Sequence, residues 1–240
     1  MMSDFIITEY DIKEAKRYYE QDRIKDILLE GLFRGMLYCF LSIGQLYKTQ
    51  MMIYRDLINN NMDKPDFICG NIPLLKTILL KARFPNSMLK YIFEFKNKWN
   101  NIHRHYFNFI IWDIKENDKK FSYEIRDTLV KNIKGVGYKV ASLFLDICGY
   151  NDISVIDIWS LRFLKEKGYI EKIYYGKKSG ESRGISKNKY IEYENYMKIE
   201  ADKYGYSVGF FQLLVWVKLS SWNKRYDKNQ LLLNFDEDKK

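Results

Sequence analysis

The amino-acid sequence predicts an all-α protein with two helical lobes, and three observations support this fold class. Apolar residues recur at steps of three and four along most of the chain, as they do on the buried face of a helix. No segment shows the alternation of apolar and polar residues that marks a half-buried strand. The three prolines, Pro65, Pro73 and Pro85, lie within one stretch, and helical spacing occurs on both sides of it. The pattern therefore predicts helices packed on helices.

The elements can be assigned in order along the chain. The helical spacing is clearest in three groups of apolar residues, which are Ile24, Leu28, Leu32, Leu37, Phe40, Leu41 and Ile43, then Leu89, Ile92 and Phe93, then Leu213, Leu214 and Val217. Residues 60–75 predict a loop with a helix starting near its end, and residues 176–189 predict a second irregular stretch. Eight basic and three acidic residues lie within 165–190, a charge of about +5. That region is either a solvated loop or a contact with the DNA backbone.

Composition limits the classes of protein to consider. Forty Lys and Arg residues against 31 Asp and Glu give a net charge of +9, which is compatible with a nucleic-acid partner without requiring one. No run of 18 apolar residues occurs, so no membrane-spanning helix is predicted. The acidic, mixed N-terminal segment does not resemble a signal peptide. These features predict a cytoplasmic protein that associates with the nucleoid when it is bound to DNA.

The sequence predicts neither a metal site nor an organic cofactor. Cys39, Cys69 and Cys148 are widely spaced, without the CxxC spacing of zinc ribbons or the four clustered cysteines of an iron–sulfur cluster. Their odd number argues against a disulfide framework, so we expect buried thiols in a reducing compartment. His103 and His105 form an HxH pair, but the sequence holds no other histidine to complete a metal site.

The most informative segment is residues 129–145, where one apolar helix end meets a second helix across Gly135-Val136-Gly137. Two glycines two positions apart predict a tight reversal with positive φ. Val136 is expected to plug the gap between the helices. The turn would then present free backbone N–H groups at a helix N-terminus, an arrangement that suits a phosphate oxygen. The alternative is an ordinary corner between helices without a ligand.

The string from Ile133 to Ala141, with Asp157 eighteen residues after Lys139, resembles the helix-hairpin-helix DNA glycosylases. Within that superfamily it is most similar to the short archaeal-type 8-oxoguanine DNA glycosylase/AP lyases. These enzymes place the catalytic lysine two residues after the second hairpin glycine, where Lys139 stands, and the essential aspartate just past the next helix, where Asp157 stands. Looser similarity covers residues 83–92 and the helix at 209–216. The resemblance implies removal of 8-oxoguanine through a lysine Schiff base and β-elimination.

The two predicted catalytic residues suit this chemistry. A carboxylate near C1′ stabilises the positive charge that builds on the sugar, and an amine can trap C1′ covalently. On the first turn of its helix, Lys139 would have a lowered pKa because of the helix dipole and burial. Asp157 alone would give a monofunctional glycosylase, and Lys139 adds the lyase. The plainer alternatives are a surface lysine and an aspartate that caps the helix at residues 158–160.

The resemblance also implies binding residues. The hairpin residues Lys134, Gly135, Val136 and Gly137 are expected to contact DNA, and Gln45 to fill the gap left by a flipped base. Phe210, Phe211 and Trp216 are candidates for the base pocket, although plain core packing is an alternative for each. Many relatives have His two positions after the aspartate; Trp159 stands there in this sequence and cannot titrate.

We therefore predict a monomeric enzyme whose partner is double-stranded DNA containing a damaged base. One lobe is a central helical barrel at 31–151, and the other combines 1–30 with 152–240, with the active cleft between them. The short archaeal-type enzymes use the chain's C-terminus near the base, whereas this sequence continues past Trp222 to Lys240. A glycosylase for thymine, uracil or an oxidised pyrimidine is therefore a first alternative. A non-catalytic helix-hairpin-helix DNA-binding module is the second.

Overall fold

The computed structural model describes residues 5–25, 27–100, 104–173 and 185–220. Within these residues the chain forms twelve α-helices and no strand, which confirms the all-α prediction. The helices are α1 (Glu9–Gln21), α2 (Leu29–Leu41), α3 (Tyr47–Asn59), α4 (Pro65–Gly70), α5 (Ile72–Leu79), α6 (Pro85–Asn97), α7 (Arg104–Glu116), α8 (Ser122–Asn132), α9 (Tyr138–Ile147), α10 (Ile158–Glu166), α11 (Lys187–Lys203) and α12 (Val208–Leu219). None of these helices is long and apolar enough to cross a membrane.

The proline-containing stretch is more helical than the sequence indicated. We expected a loop over 60–75 with a helix starting near its end; α5 begins there as expected, but α4 also lies within the stretch. All three prolines stand in the first turn of a helix, at the start of α4, α5 and α6. A proline costs nothing at that position because the first-turn N–H groups have no partner within the helix. The prolines therefore start helices here instead of interrupting them.

The buried side chains form two lobes. The larger core contains apolar residues of α2 to α9, and its central rings Phe33, Phe95 and Trp99 pack within 5.4 Å of one another, centroid to centroid. The second lobe is built from α10, α11 and α12, with Phe5 inserted among them and α1 packed along α12. The chain thus leaves its N-terminal segment on the second lobe, passes through the first and returns. The boundaries of 31–151 and 1–30 plus 152–240 stay a prediction.

One buried ion pair joins the two lobes. Arg126 of α8 donates two hydrogen bonds to the carboxylate of Glu194 on α11, over 2.7 and 3.0 Å. Arg126 also donates to Ser142 Oγ at 3.2 Å, and the backbone N–H of Ser154 donates to Glu194 Oε1 at 2.8 Å. Both charged side chains are at most 1 % exposed. The pair fixes α8 and α9 against α11.

Candidate active site

The two glycines of the hairpin between α8 and α9 have different backbone conformations. Gly135 has φ +86°, and a Cβ there would lie 2.6 Å from the ring of Tyr91. Gly137 has φ −97° and ψ 179°, an extended conformation that any residue adopts. The expected positive φ is therefore right for Gly135 and wrong for Gly137. Val136, between them, is buried in the core of the first lobe.

Gly137 occupies the N-cap position of α9, and no described side chain caps this helix. A Cβ at Gly137 would meet nothing within 4 Å in the described part of the protein. The first-turn N–H groups of α9 are consequently left for an outside acceptor. Lys134 is exposed beside them and pairs with Glu94 at 3.0 Å. The hairpin surface thus combines unsatisfied N–H donors with a positive charge, which suits an anion.

Lys139 lies in the first turn of α9 and is partly buried. Its one hydrogen bond to a described residue is long, from Nζ to the carbonyl oxygen of Ser42 at 3.5 Å. Burial lowers the pKa of this amine, while the nearby charge of Asp157 acts in the opposite direction. The lowered pKa enlarges the fraction of Lys139 that is a neutral, nucleophilic amine near neutral pH.

Asp157 caps α10 with one of its two carboxylate oxygens. Oδ1 accepts hydrogen bonds from Trp159 N and Ser160 N, both at 2.9 Å, and from Ser160 Oγ at 3.2 Å. No described group donates a hydrogen bond to Oδ2. Burial raises the pKa of Asp157, and the charge of Lys139 lowers it in part. The cap and a charge-stabilising role are therefore compatible, because they use different oxygens.

A cavity of about 730 Å³ brings the two residues together. It is lined by residues from both lobes and contains four of the residues singled out in the sequence, which are Gln45, Lys139, Asp157 and Trp216. Trp159, which replaces the histidine of many relatives, lines it as well, with the guanidinium of Arg162 stacked 4.5 Å from its ring. The volume lies within the range of pockets that bind small organic groups.

The aromatic residues predicted for the base pocket separate into different environments. Trp216 lines the cavity and packs edge-on against Tyr18 and Tyr47. Phe211 is fully buried in the second lobe's core, so its placement in the base pocket is corrected to ordinary core packing.

Phe210 packs against Tyr19 and Tyr206 and does not line the cavity either. Of the three aromatic residues predicted for the base pocket, Trp216 alone lines the cavity.

Gln45 is held at the rim of the cavity by the protein itself. Its Nε2 donates to the carbonyl oxygen of Leu41 at 2.8 Å, and its Oε1 accepts from the backbone N–H of Arg83 at 3.4 Å. The next residue, Leu46, is 75 % exposed at the same rim. A polar side chain fixed beside an exposed apolar one is a geometry that suits the gap in a base stack.

The cavity also contains two carboxyl groups that the sequence analysis missed. Asp22 accepts hydrogen bonds from the hydroxyls of Tyr38 at 3.0 Å and Tyr47 at 3.2 Å, and burial raises its pKa to about 6. Asp146 belongs to α9, and burial raises its pKa to about 7 while Arg23 opposes that shift. Asp146 stands seven residues after Lys139, which places both on one helix face and is the signal that was available.

Some predicted features fall outside the described residues. They are His103 of the HxH pair, most of the basic stretch at 176–189, and the segment from Trp222 to Lys240. His105 is exposed on α7, and the described residues contain no group of three potential ligands that could hold a metal ion. Cys39 and Cys148 are buried free thiols, as expected.

Comparison with known proteins supports one family. The family model described as 8-oxoguanine DNA glycosylase matches residues 12–206. An 8-oxoguanine DNA glycosylase/AP lyase of Methanocaldococcus jannaschii is 36 % identical over 106 residues, which cover 43 % of this chain and 47 % of the relative. The protein of the same name from Sulfolobus acidocaldarius is 29 % identical over 220 residues, covering 86 % and 94 %. The chain thus spans about half the length of the first of these curated relatives and nearly all of the second.

Solved structures show the same fold. The 8-oxoguanine DNA glycosylase of Thermotoga maritima superposes with a TM-score of 0.65 at 23 % identity, covering 88 % of this chain and 97 % of the other. The Methanocaldococcus jannaschii 8-oxoguanine glycosylase/lyase, solved with a 15mer DNA containing 8-oxoguanine, gives 0.66 at 24 % identity, covering 88 % and 89 %. Because the family match spans most of the sequence and Lys139, which follows the hairpin, lines one cavity with Asp157, this chain belongs to the 8-oxoguanine DNA glycosylase family.

Proposed function

We propose that this protein is a DNA glycosylase/AP lyase that removes 8-oxoguanine from double-stranded DNA, with Lys139 as the nucleophile and Asp157 as the charge-stabilising carboxylate. The observation that carries the proposal is the placement of a poorly partnered, buried lysine beside a buried aspartate in a cavity of about 730 Å³. Membership of the family and the names of the relatives point to the same activity. A lysine that only packed on the surface would not be shielded in this way.

The first chemical step replaces the bond between the sugar and the base. The neutral amine of Lys139 attacks C1′, the N-glycosidic bond breaks, and its electron pair leaves with the base, which takes up a proton. The carboxylate of Asp157 stabilises the positive charge that develops on the sugar. Its Oδ2 has no described donor, so this oxygen is available to face the sugar while Oδ1 keeps α10 capped.

The second step nicks the strand. Opening of the sugar ring converts the C1′–Nζ bond of Lys139 into a protonated imine, which acidifies the hydrogens on C2′. Loss of a C2′ proton to a base and departure of the 3′ phosphate form a carbon–carbon double bond and break the C3′–O bond. Water then hydrolyses the imine and regenerates the amine. The amine and the carboxylate supply this chemistry without a metal or an organic cofactor.

The hairpin and the cavity rim would hold the DNA. Backbone N–H groups after Gly137, together with Lys134, would bind a phosphate without reading the base sequence. The damaged nucleotide must leave the duplex to reach Lys139, and Gln45 would fill the gap that it leaves. Trp216 would form part of the wall that receives the base. In this role the protein acts as a monomer on DNA.

A panel of single-lesion duplexes tests the substrate directly. Duplexes that contain 8-oxoguanine, uracil, a thymine mismatch or thymine glycol are incubated with the protein, and free base and strand nicks are scored separately. We expect release of 8-oxoguanine followed by nicking. Release of a pyrimidine instead would contradict the assignment of 8-oxoguanine as the substrate but not the glycosylase mechanism. Binding without release of a base from any duplex would show a non-catalytic DNA-binding module.

A further inference from the structure

One carboxyl group in the cavity lacks the partners that its neighbours have. Asp146 lies on α9 two turns beyond Lys139, roughly 10.5 Å along the helix axis, and Leu143 lines the cavity between them. No group in the described part of the chain donates a hydrogen bond to either oxygen of Asp146, and Oδ1 is shielded from solvent. A shielded polar atom without a partner is uncommon in folded proteins and calls for a ligand or another explanation.

The hydrogen bonds of the groups beside Asp146 run between those groups, and Nε of Arg23 is buried without a partner among the described residues. Both oxygens of Asp22 accept hydrogen bonds from tyrosine hydroxyls. The guanidinium of Arg23 donates to Tyr19 and Asn151, and it acts on Asp146 through its charge alone. Gly209 of α12 leaves just enough room, since a Cβ there would lie 2.9 Å from Asp146 Oδ1. The acceptor capacity of Asp146 is therefore unused in the free protein.

We propose that Asp146 is a specificity-determining residue, whose carboxylate accepts hydrogen bonds from the flipped base and selects a guanine-type edge. The inference rests on the proposed function, since it names the group of the base that the same cavity recognises. A sugar held at Lys139 leaves the rest of the cavity to the attached purine, and Leu143 and Asp146 of the same helix line that cavity. The far edge of that purine is the part that meets the carboxylate.

The chemistry of a carboxylate explains the selection. An ionised carboxylate only accepts hydrogen bonds, and Oδ2 of Asp146, the oxygen that is not shielded, can accept from two adjacent N–H donors. The edge of guanine and of 8-oxoguanine offers N1–H and the 2-amino group side by side. An adenine-type edge instead presents the unprotonated N1, whose lone pair repels the carboxylate. A pyrimidine is a shorter base and leaves the carboxylate without a partner, which is costly in a shielded site.

The protonation state of Asp146 adds a second consequence. Its pKa is raised to about 7 by burial, so a protonated and an ionised form coexist near neutral pH. The ionised form alone accepts from two donors, so the preference for a guanine-type edge should rise with pH. The titratable and charged groups coupled electrostatically to Asp146 are Tyr19 of α1, Asp22 and Arg23 directly after α1, Cys39 of α2, and Cys148 directly after α9.

Selectivity between two matched lesions tests the proposal. Single-turnover release is measured for 8-oxoguanine and for 8-oxohypoxanthine, the same base without its 2-amino group. The parent should favour 8-oxoguanine by ~10-fold, and Asp146→Asn should reduce that ratio to about 1, because the amide N–H₂ meets a donor. Asp22→Asn is the matched control: it removes a carboxylate of the same cavity whose oxygens are already occupied. The charge of Asp22 raises the pKa of Asp146, so the comparison is made at about pH 8, where Asp146 is ionised in both proteins and the control should leave the ratio unchanged.

The outcomes separate the inference from the function on which it rests. An active Asp146→Asn variant with an unchanged ratio, or with equal losses on both lesions, overturns the inference alone. Failure of the parent to release any base overturns the proposed function and the inference with it. If Asp146→Asn does not fold, the parent's own ratio decides. It should rise from about pH 6 to about pH 8, and a flat ratio would overturn the inference.

Discussion

Arg126–Glu194 and Lys139–Asp157 are oppositely charged pairs that are wholly or partly buried, and they differ in how many hydrogen bonds the protein supplies to them. Arg126 and Glu194 are fully buried and share two short hydrogen bonds, and Ser142 and the backbone N–H of Ser154 add one hydrogen bond to each side chain, so that only Nε of Arg126 lacks a described partner. Lys139 and Asp157 influence each other's pKa, yet the amine has one described hydrogen bond, the 3.5 Å contact to Ser42 O. The first pair joins α8 of one lobe to α11 of the other, and the second lines the cavity.

The difference teaches how to separate structural charges from chemical ones in this fold. A buried charge that several hydrogen bonds hold to a counter-charge fixes geometry and is not available to a substrate. A buried charge with missing partners is held at a cost in stability, and such groups concentrate at functional sites. On this criterion Lys139, Asp157 and Asp146 belong to the site, and Arg126 and Glu194 belong to the scaffold.

The largest expected effect is on the chemistry of the poorly partnered amine. Lys139→Gln should reduce strand nicking by ~10³-fold or more and abolish borohydride trapping, because the amide cannot form an imine. DNA affinity and melting temperature should change little, since the amine has few partners to lose.

The matched control for this variant is Lys81→Gln. Lys81 lines the same cavity but is half exposed and paired with Asp56 at 2.6 Å. That variant should still trap DNA. Loss of trapping in both variants, or in neither, would contradict the assignment.

The Arg126–Glu194 pair should lose stability instead of activity. Glu194→Gln leaves Arg126 buried without a counter-charge, so we expect a loss of about 3–5 kcal/mol in the free energy of unfolding. Denaturant unfolding measures it, and the activity of the protein that remains folded should be near normal. Glu192→Gln on the same helix is the control, because Glu192 is exposed and accepts a hydrogen bond from the hydroxyl of Tyr196, so the loss should stay below about 1 kcal/mol. Similar losses in the free energy of unfolding of both variants would contradict a special structural role for the Arg126–Glu194 pair.

Asp157→Asn distinguishes the helix-capping role of this side chain from its charge-stabilising role. Asparagine keeps a cap for α10, so stability should hold, whereas base release should fall by ~10²-fold because the charge is gone. The charge of Asp157 raises the pKa of Lys139, so its removal should lower that pKa further.

The pH profile of Asp157→Asn checks whether the pKa of Lys139 falls as predicted. Release needs the neutral amine and therefore rises with pH through the pKa of Lys139, so the acid limb of the variant should lie at lower pH than in the parent. If the acid limb of base release lies at the same pH in the variant and the parent, the charge of Asp157 does not affect the pKa of Lys139. A destabilised variant with full activity would leave the helix cap as the whole role of Asp157.

The smallest effect concerns the hairpin and contrasts its two glycines. Gly137→Ala should fold normally, because the backbone is extended and a Cβ meets nothing described within 4 Å. It should weaken binding to damaged and undamaged duplexes alike by several-fold, because the Cβ would stand where the phosphate approaches. Gly135→Ala should instead lower the melting temperature, through its positive φ and the ring of Tyr91. Full affinity in a folded Gly137→Ala variant would reduce the hairpin to a corner between helices.

Local features could be predicted from the sequence because neighbouring residues determine them. The hairpin, the helix that carries Lys139 and the cap at Asp157 each depend on residues within a few positions of one another. The Arg126–Glu194 pair joins residues 68 positions apart, and nothing in either neighbourhood indicates the other. The same holds for Asp22, whose partners come from helices further along the chain.

The base-pocket prediction failed in part for a different reason. Helix α12 is apolar on every side, with Gln212 and Lys218 its only strongly polar residues, so periodicity could not show which face meets the cavity. The structure turns Trp216 toward the cavity and Phe211 into the core. The proline-containing stretch was read as loop because proline interrupts helices in their interior, whereas each proline here stands at a helix start.

The central claim is that the poorly partnered amine of Lys139 performs the chemistry, and the site of the covalent adduct tests it most directly. The parent is reacted with a duplex containing 8-oxoguanine in the presence of borohydride, the DNA is digested, and the protein is cleaved into peptides for mass spectrometry. We predict that the reduced sugar remnant is found on Lys139 alone. A remnant on Lys134, on Lys81 or on the N-terminal amine would contradict the account.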